Sequence, residues 1–196
     1  GIIPAAAAEA IAARSKLELM DRKKIDEGFA RTGHTLVPLV WELSRVVGEP
    51  HGGWVHWGAT TQNITQTGDL LVLRQAHAIF FRQIGEALAA MADLAERTAD
   101  MPMAGRTHGQ HAVPATFGYK VAVWIDELMR HADRLREMRP RLFVAMLGGG
   151  AGTFASLGKN GPPVQEAIGR LLGFGTMRVP SRALGDHLAE NICVLG

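Results

Sequence analysis

Cysteine is almost absent from this 196-residue chain, with Cys193 the only one. An internal disulfide framework is therefore excluded, and a reducing compartment, the cytoplasm, is the expected setting. An excess of one charge is lacking too. Lys and Arg total 21 against 19 Asp and Glu, a formal +2, and the cations are scattered singly among the acids. No stripe suited to nucleic acid results, although a mildly basic balance is compatible with an anionic ligand. Long apolar runs of helical character are missing as well: the least charged stretch, Leu142 to Gly158, contains five glycines. No membrane span is expected. The opening Gly1-Ile2-Ile3-Pro4 has no basic flank and does not read as a signal peptide.

What the chain does have is a globular composition. Hydrophobic residues make up 47% and charged residues 20%, which excludes a disordered chain and leaves room for one good core or two small ones. No segment alternates convincingly enough to be a strand. Pro4 suits a first helical turn, and Ala5 to Leu19 are strong helix formers. Asp21 to Arg31 continues helically and stops at Thr32-Gly33. Leu36, Leu39, Val40, Leu43 and Val47 then repeat at helical spacing until Gly48, before a loop over 48–61 rich in Gly, His and Trp.

No proline falls between about Gln62 and Asp100, and Leu73, His77, Phe80, Ile84, Leu88, Met91 and Leu94 step by three and four. The spacing predicts a helix roughly 57 Å long, beyond the span of a compact domain. Pro102 ends it. A second long helix is expected from near Pro114 to about Arg139, on the stripe Phe117, Val121, Trp124, Leu128, His131, Leu135 and Met138, with Pro140 interrupting it. His131 and Met129 read as packing. Residues 148–163 form a glycine-rich loop, Val164 to Leu172 a short helix, and the chain ends entering another. The expected fold is all-α, a long-helix bundle. It divides into an N-terminal helical domain over 1–57 and part of a central long-helix domain over 58–196. Helices of this length need partners along them, which predicts a multi-subunit bundle. Both ends read as interior, since the chain opens into an alanine run and stops at Gly196 inside an apolar pattern.

Between the long helices lies Gly105-Arg106-Thr107-His108-Gly109-Gln110-His111. Helix connections are usually plain, so this clustering favours chemistry, with a histidine able to move a proton near neutral pH. The plainer reading is a tight connection whose histidines sit in solvent. A metal site of His108 and His111 with His51 or His56 is disfavoured, because no cysteine is near and the acids fall elsewhere. His56-Trp57-Gly58-Ala59-Thr60-Thr61-Gln62-Asn63 runs straight into the first long helix. Thr60, Thr61 and Asn63 are good capping types, and a helix N-terminus with flanking hydroxyls also suits a carboxylate. The run Gly148-Gly149-Gly150-Ala151-Gly152-Thr153 fits G-x-G-x-x-A from Gly150. It follows no strand, however, and is read as permissive backbone rather than a phosphate cradle. His34 after Gly33 reads, alone, as a capping or partly buried histidine.

Three blocks in order carry a resemblance: Thr32-Gly33-His34, the run Val55 to Asn63, and Gly105 to Lys120 (GRTHGQHAVPATFGYK), with Leu147 to Gly158 similar as well. The chain resembles the fumarase/aspartase superfamily, and within it the adenylosuccinate lyase and carboxymuconate cycloisomerase branch. The resemblance implies a homotetramer around a twenty-helix bundle, whose active sites are each assembled from three subunits. It implies anti elimination of a C–N or C–O bond in a small anionic dicarboxylate, usually with release of fumarate and with no cofactor or metal. Cycloisomerases instead close or open a lactone.

By the same resemblance His108 is the general acid, with Thr107 beside it, and His34 the accessory histidine. Thr60 and Thr61 match the pair that holds substrate carboxylate, Asn63 is expected to bind substrate with them, and His56 and Gln110 line the same cleft by analogy. Several positions depart from the family pattern. Thr61 stands where Ser is usual and Asn63 where Asp is usual. Gly33 and Thr35 flank His34 in place of Arg and Asp, and in Leu184-Gly185-Asp186-His187 only Asp186 clearly matches. The loop bearing the serine base is expected beyond Gly196. Having both His34 and His108 favours adenylosuccinate lyase chemistry, while Gly33, Thr35 and the triple glycine lean towards a cycloisomerase. A helical assembly protein without the chemistry is the alternative of another class.

Overall fold

The computed structural model describes residues 1–181 and 183–195; Gly196, where the apolar pattern was expected to run out uncapped, lies outside them. The chain divides into two compact units, Gly1–Asp69 with Val144–Leu184, and Leu70–Phe143 with Gly185–Gly196.

In the first unit, α1 (Ala5–Arg14) follows Pro4 as expected but ends earlier than Leu19. The reason is local. Ser15, the C-cap, gives both its amide and its Oγ to the Ile11 carbonyl, at 2.9 and 2.7 Å, and residues 17–19 make only a single 3₁₀ turn. Helix α2 (Arg22–Thr32) starts under Asp21, whose carboxylate accepts from the Lys23 and Lys24 amides, and closes on Gly33 at φ +64. Helix α3 (Val37–Val47) packs against it where Gly28 meets Pro38; a Cβ at Gly28 would lie 2.7 Å from the Pro38 Cβ. Glu42, 3% exposed, joins the two helices by accepting from the Asp21 amide at 2.8 Å and from Arg45 Nε at 2.8 Å and Nη2 at 2.6 Å.

The same unit holds a parallel pair, β3 (Val144–Ala145) with β4 (Gly175–Thr176), bridged by α6 (Gly161–Leu172). Buried Gln165 on α6 accepts from the Leu147 amide and donates to the Met177 carbonyl, both at 2.9 Å. The second bond ties α6 to the residue after β4, and the first fixes where the chain enters the glycine-rich loop. Ala145, Met146, Leu147, Leu157 and Phe174 are buried around it.

Helix α4 (Thr61–Arg97) is 37 residues long, about 55 Å at 1.5 Å per residue. It contributes its first residues to the first unit and the remainder to the second. There Leu70 and His77 are buried, and the predicted stripe from Leu73 to Leu94 is the less exposed face. Helix α5 (Phe117–Leu142) runs antiparallel to it. The Gly118 amide bonds the Thr98 carbonyl at 2.9 Å, and Arg136 and Arg139 stack on Phe81. Val121, Leu135, Met138 and Leu142 are buried along α5, whereas Trp124 turns outward at 43% exposed. Pro140 is carried within the last turn of α5 rather than ending it. Helix α7 (Asp186–Leu195) docks through an Arg141–Glu190 ion pair and a bond between His77 and Asn191.

The segment between α4 and α5 differs from the strand-free connection expected. It is an antiparallel hairpin, β1 (Pro102–Thr107) with β2 (Gln110–Thr116), and Pro114 lies in its second strand rather than at a helix start. The α5 cap is Thr116, whose side chain accepts from the Tyr119 amide at 3.2 Å. Among the described residues, no helix is long and apolar enough to cross a membrane.

Candidate active site

The hairpin tip is built from two residues. Thr107 pairs with Gln110, leaving His108 and Gly109 as the loop, at φ +51 and +73. Two successive positive φ values are the requirement of a type I′ turn, the two-residue loop whose twist matches the flanking strands. Glycine adopts this freely, but His108 does so at a steric cost. Below the tip, the register slips between Ala104 and Arg106, where a Cβ on Gly105 would come within 2.5 Å of the Val113 carbonyl oxygen. The result presents Thr107, His108, Gln110 and His111, all exposed, at the end of a two-stranded ribbon. His111 faces Arg106 across the strands, with Nε2 and Nη2 3.5 Å apart.

The second cluster lies at the start of α4. Thr60 and Thr61 are half-buried, while Asn63 is 2% exposed. The amides at this terminus and the helix dipole give it a partial positive charge. Asn63 Oδ1 accepts from the Thr60 amide at 3.1 Å and from the Gly149 amide at 3.2 Å, so the glycine-rich loop is drawn onto the same turn. Gly152 has φ +77, and a Cβ there would lie 2.6 Å from the Pro180 carbonyl oxygen; the glycines here serve backbone approach. His56 precedes this turn at φ +67, and burial lowers its pKa, favouring the neutral ring.

His34 is bonded to its own helix start. Its Nδ1 accepts from the Leu36 amide at 3.2 Å and the Val37 amide at 3.4 Å, which leaves any neutral-ring proton on Nε2. Capping and function are therefore compatible, since the capped ring has a fixed direction. The structure thus joins Thr60, Asn63 and the glycine loop in one unit, and Thr107, His108 and Gln110 on the hairpin of the other. Sequence reasoning missed the hairpin and the Asn63–Gly149 bond. Two positive-φ histidines leave no mark in a helical pattern, although His108-Gly109 is a turn-compatible pair. Among the described residues, no three metal-ligating side chains gather.

A family model described as Lyase matches residues 5–191. The chain belongs to the fumarase/aspartase superfamily. It is 41% identical to a 3-carboxy-cis,cis-muconate cycloisomerase of Pseudomonas aeruginosa, covering 100% of this chain and 43% of that protein. It is 37% identical to an N-acetyl-S-(2-succino)cysteine lyase of Enterococcus italicus, with 100% and 43% covered. It is 36% identical to an adenylosuccinate lyase of Methanothermobacter thermautotrophicus, with 100% and 44% covered. A fumarate lyase from Mesorhizobium sp. BNC1 superposes with a TM-score of 0.93 at 42% identity, over 100% of this chain and 46% of that one. The chain thus spans a little under half the length of these relatives.

Proposed function

We propose that the full-length protein catalyses anti elimination on a succinyl-type substrate, releasing fumarate. The favoured chemistry is C–N cleavage of the adenylosuccinate lyase type. The observation carrying this reading is His108 at the apex of the hairpin, exposed and in a positive-φ turn conformation. In the reaction a base removes a proton from the carbon beside a carboxylate. That electron pair becomes the new C=C bond as the C–N pair leaves on nitrogen, and His108 supplies the proton to the departing nitrogen. The base is expected on a serine-bearing loop outside this chain. Thr60, Thr61 and the α4 N-terminus hold a substrate carboxylate, where hydrogen-bond donors stabilise the charge that builds up. Thr107, Gln110, His56 and Asn63 shape the surroundings, and His34 supports the acid. The site is assembled from several chains of a homotetramer, with no cofactor.

The second reading is lactone chemistry, favoured by the 41% identity to the cycloisomerase. A sulfur leaving group, as in the name of the Enterococcus relative, would use the same carboxylate site and depend less on an acid, because a thiolate departs more readily than an amine. The test is direct. Full-length protein is offered adenylosuccinate, N-acetyl-S-(2-succino)cysteine and 3-carboxy-cis,cis-muconate, with products followed by ultraviolet absorbance and chromatography. Fumarate from adenylosuccinate supports the proposal. Lactone from the muconate alone would replace it with the second reading, and no turnover of any of the three would favour an assembly role.

A further inference from the structure

We infer that Asn63 is a positioning residue, which acts by stapling the glycine-rich loop to the carboxylate-binding turn rather than by touching substrate. The inference rests on the functional reading above for what that turn binds, and on geometry for the staple itself. Asn63 is 2% exposed, and its Oδ1 accepts two backbone amides, Thr60 at 3.1 Å and Gly149 at 3.2 Å, the latter 86 residues away in sequence. An amide nitrogen cannot accept a hydrogen bond, so these two donors fix which way the side chain lies. Nδ2 is then the buried atom without a partner among the described residues.

A buried donor left unmade is costly, so this orientation is held only because the two amide bonds outweigh the loss. The packing around the staple is close enough for it to matter. A Cβ on Gly58 would lie 2.6 Å from Leu157 Cδ2, and one on Gly149, itself at φ +73, 3.7 Å from the Gly58 carbonyl oxygen. Residues 58–63 and 148–157 therefore form a single packed turn, with Asn63 as the hydrogen-bonded link. Thr60 and Thr61 sit on it. Freeing the loop would let their hydroxyls and the Thr61 amide drift from the geometry that a carboxylate requires.

The consequence concerns ground-state binding more than proton transfer, because no proton moves through Asn63. In the full-length protein, Asn63→Ala removes the acceptor for both amides. Asn63→Asp keeps an acceptor oxygen at that position, beside a helix N-terminus that favours negative charge. Two readouts are needed. Hydrogen exchange over 56–66 and 146–156 reports the staple whether or not substrate is known, and KM against kcat for the fumarate-releasing reaction reports positioning. Asn63→Ala should speed exchange in both segments and raise KM about tenfold, with a smaller change in kcat, and Asn63→Asp should restore both.

Unchanged exchange at 146–156 would overturn the staple. Faster exchange with unchanged KM would overturn positioning and leave Asn63 a purely structural residue. Failure of the wild-type protein on every substrate would instead sink the functional reading, and the exchange result would still decide the staple.

Discussion

His77 Nε2 and Asn191 Oδ1 lie 2.7 Å apart, joining α4 to α7 across 114 positions of sequence. The ring is fully buried against Phe143, Phe80 and Phe81, with centroids 5.2, 5.9 and 6.2 Å away. With the amide so oriented, Nε2 carries the proton, and Nδ1 is buried without a partner among the described residues. Among the described residues, Asn191 is the acceptor of this desolvated N–H. Asn191→Leu should therefore destabilise by about 1–3 kcal/mol, more than a neutral hydrogen bond is ordinarily worth, because the imidazole donor is stranded. His77→Leu combined with Asn191→Leu should recover part of that loss. Melting temperatures of the two single variants and the double variant check it. Strict additivity would show that the pair does not couple.

Glu42 sets a pH dependence. The Arg45 guanidinium hydrogen-bonded to it, opposed by burial and helped by the Asp21 amide, holds its pKa at about 2 instead of 4.5. A folded-state value below the unfolded one means that the contribution is complete above about 4.5 and is lost as pH falls through about 2. Glu42→Gln should lower the melting temperature at neutral pH, with the gap to wild type narrowing steadily below pH 4.5. A gap that stays constant across that window would contradict the assignment.

How much of this was legible in the sequence differs between helices and site. The two long helices were, because Leu73 to Leu94 and Phe117 to Met138 keep a helical period that only packing along their length explains. Trp124 stood in that stripe yet turns outward, which a period alone does not reveal. The hairpin was illegible because its strands, PMAGRT and QHAVPAT, are small, proline-bearing and largely exposed, and so show no two-residue alternation. Pro114 was read as a helix start because proline favours the first turn, but it equally suits an edge strand. The site residues were legible as motifs, since the blocks around His34, Thr60 and His108 are local. The Asn63–Gly149 bond spans 86 residues and has no local signature.

Assembly supplies the next expectation. Val72, Ile79, Val123 and Met129 are between 47% and 67% exposed on the long helices. Light scattering of the full-length protein should give four chains. Val72→Glu with Met129→Glu should yield smaller species, since a charge buried between helices is costly. A folded wild-type monomer at micromolar concentration would remove the bundle reading and, with it, the shared active site.

The sharpest test uses the geometry of His108. Replacement by alanine would confound two effects, because a β-carbon at φ +51 carries a backbone cost that asparagine, a common type I′ residue, largely avoids. His108→Asn should keep the hairpin and the melting temperature while removing the transferable proton. Turnover of the full-length enzyme should then fall on the order of 10²–10⁴-fold. His111 is the internal control. It lies on β2, paired with Arg106 in an ordinary strand conformation, so His111→Gln should lose far less. Gly109→Ala separates structure from chemistry in the other direction. At φ +73 it should strain the turn and lower stability, with activity falling only as the tip is displaced. If His111→Gln abolished turnover while His108→Asn left it intact, the proton donor would have to be reassigned. An equal loss in both variants, restored by added zinc, would bring the metal reading back.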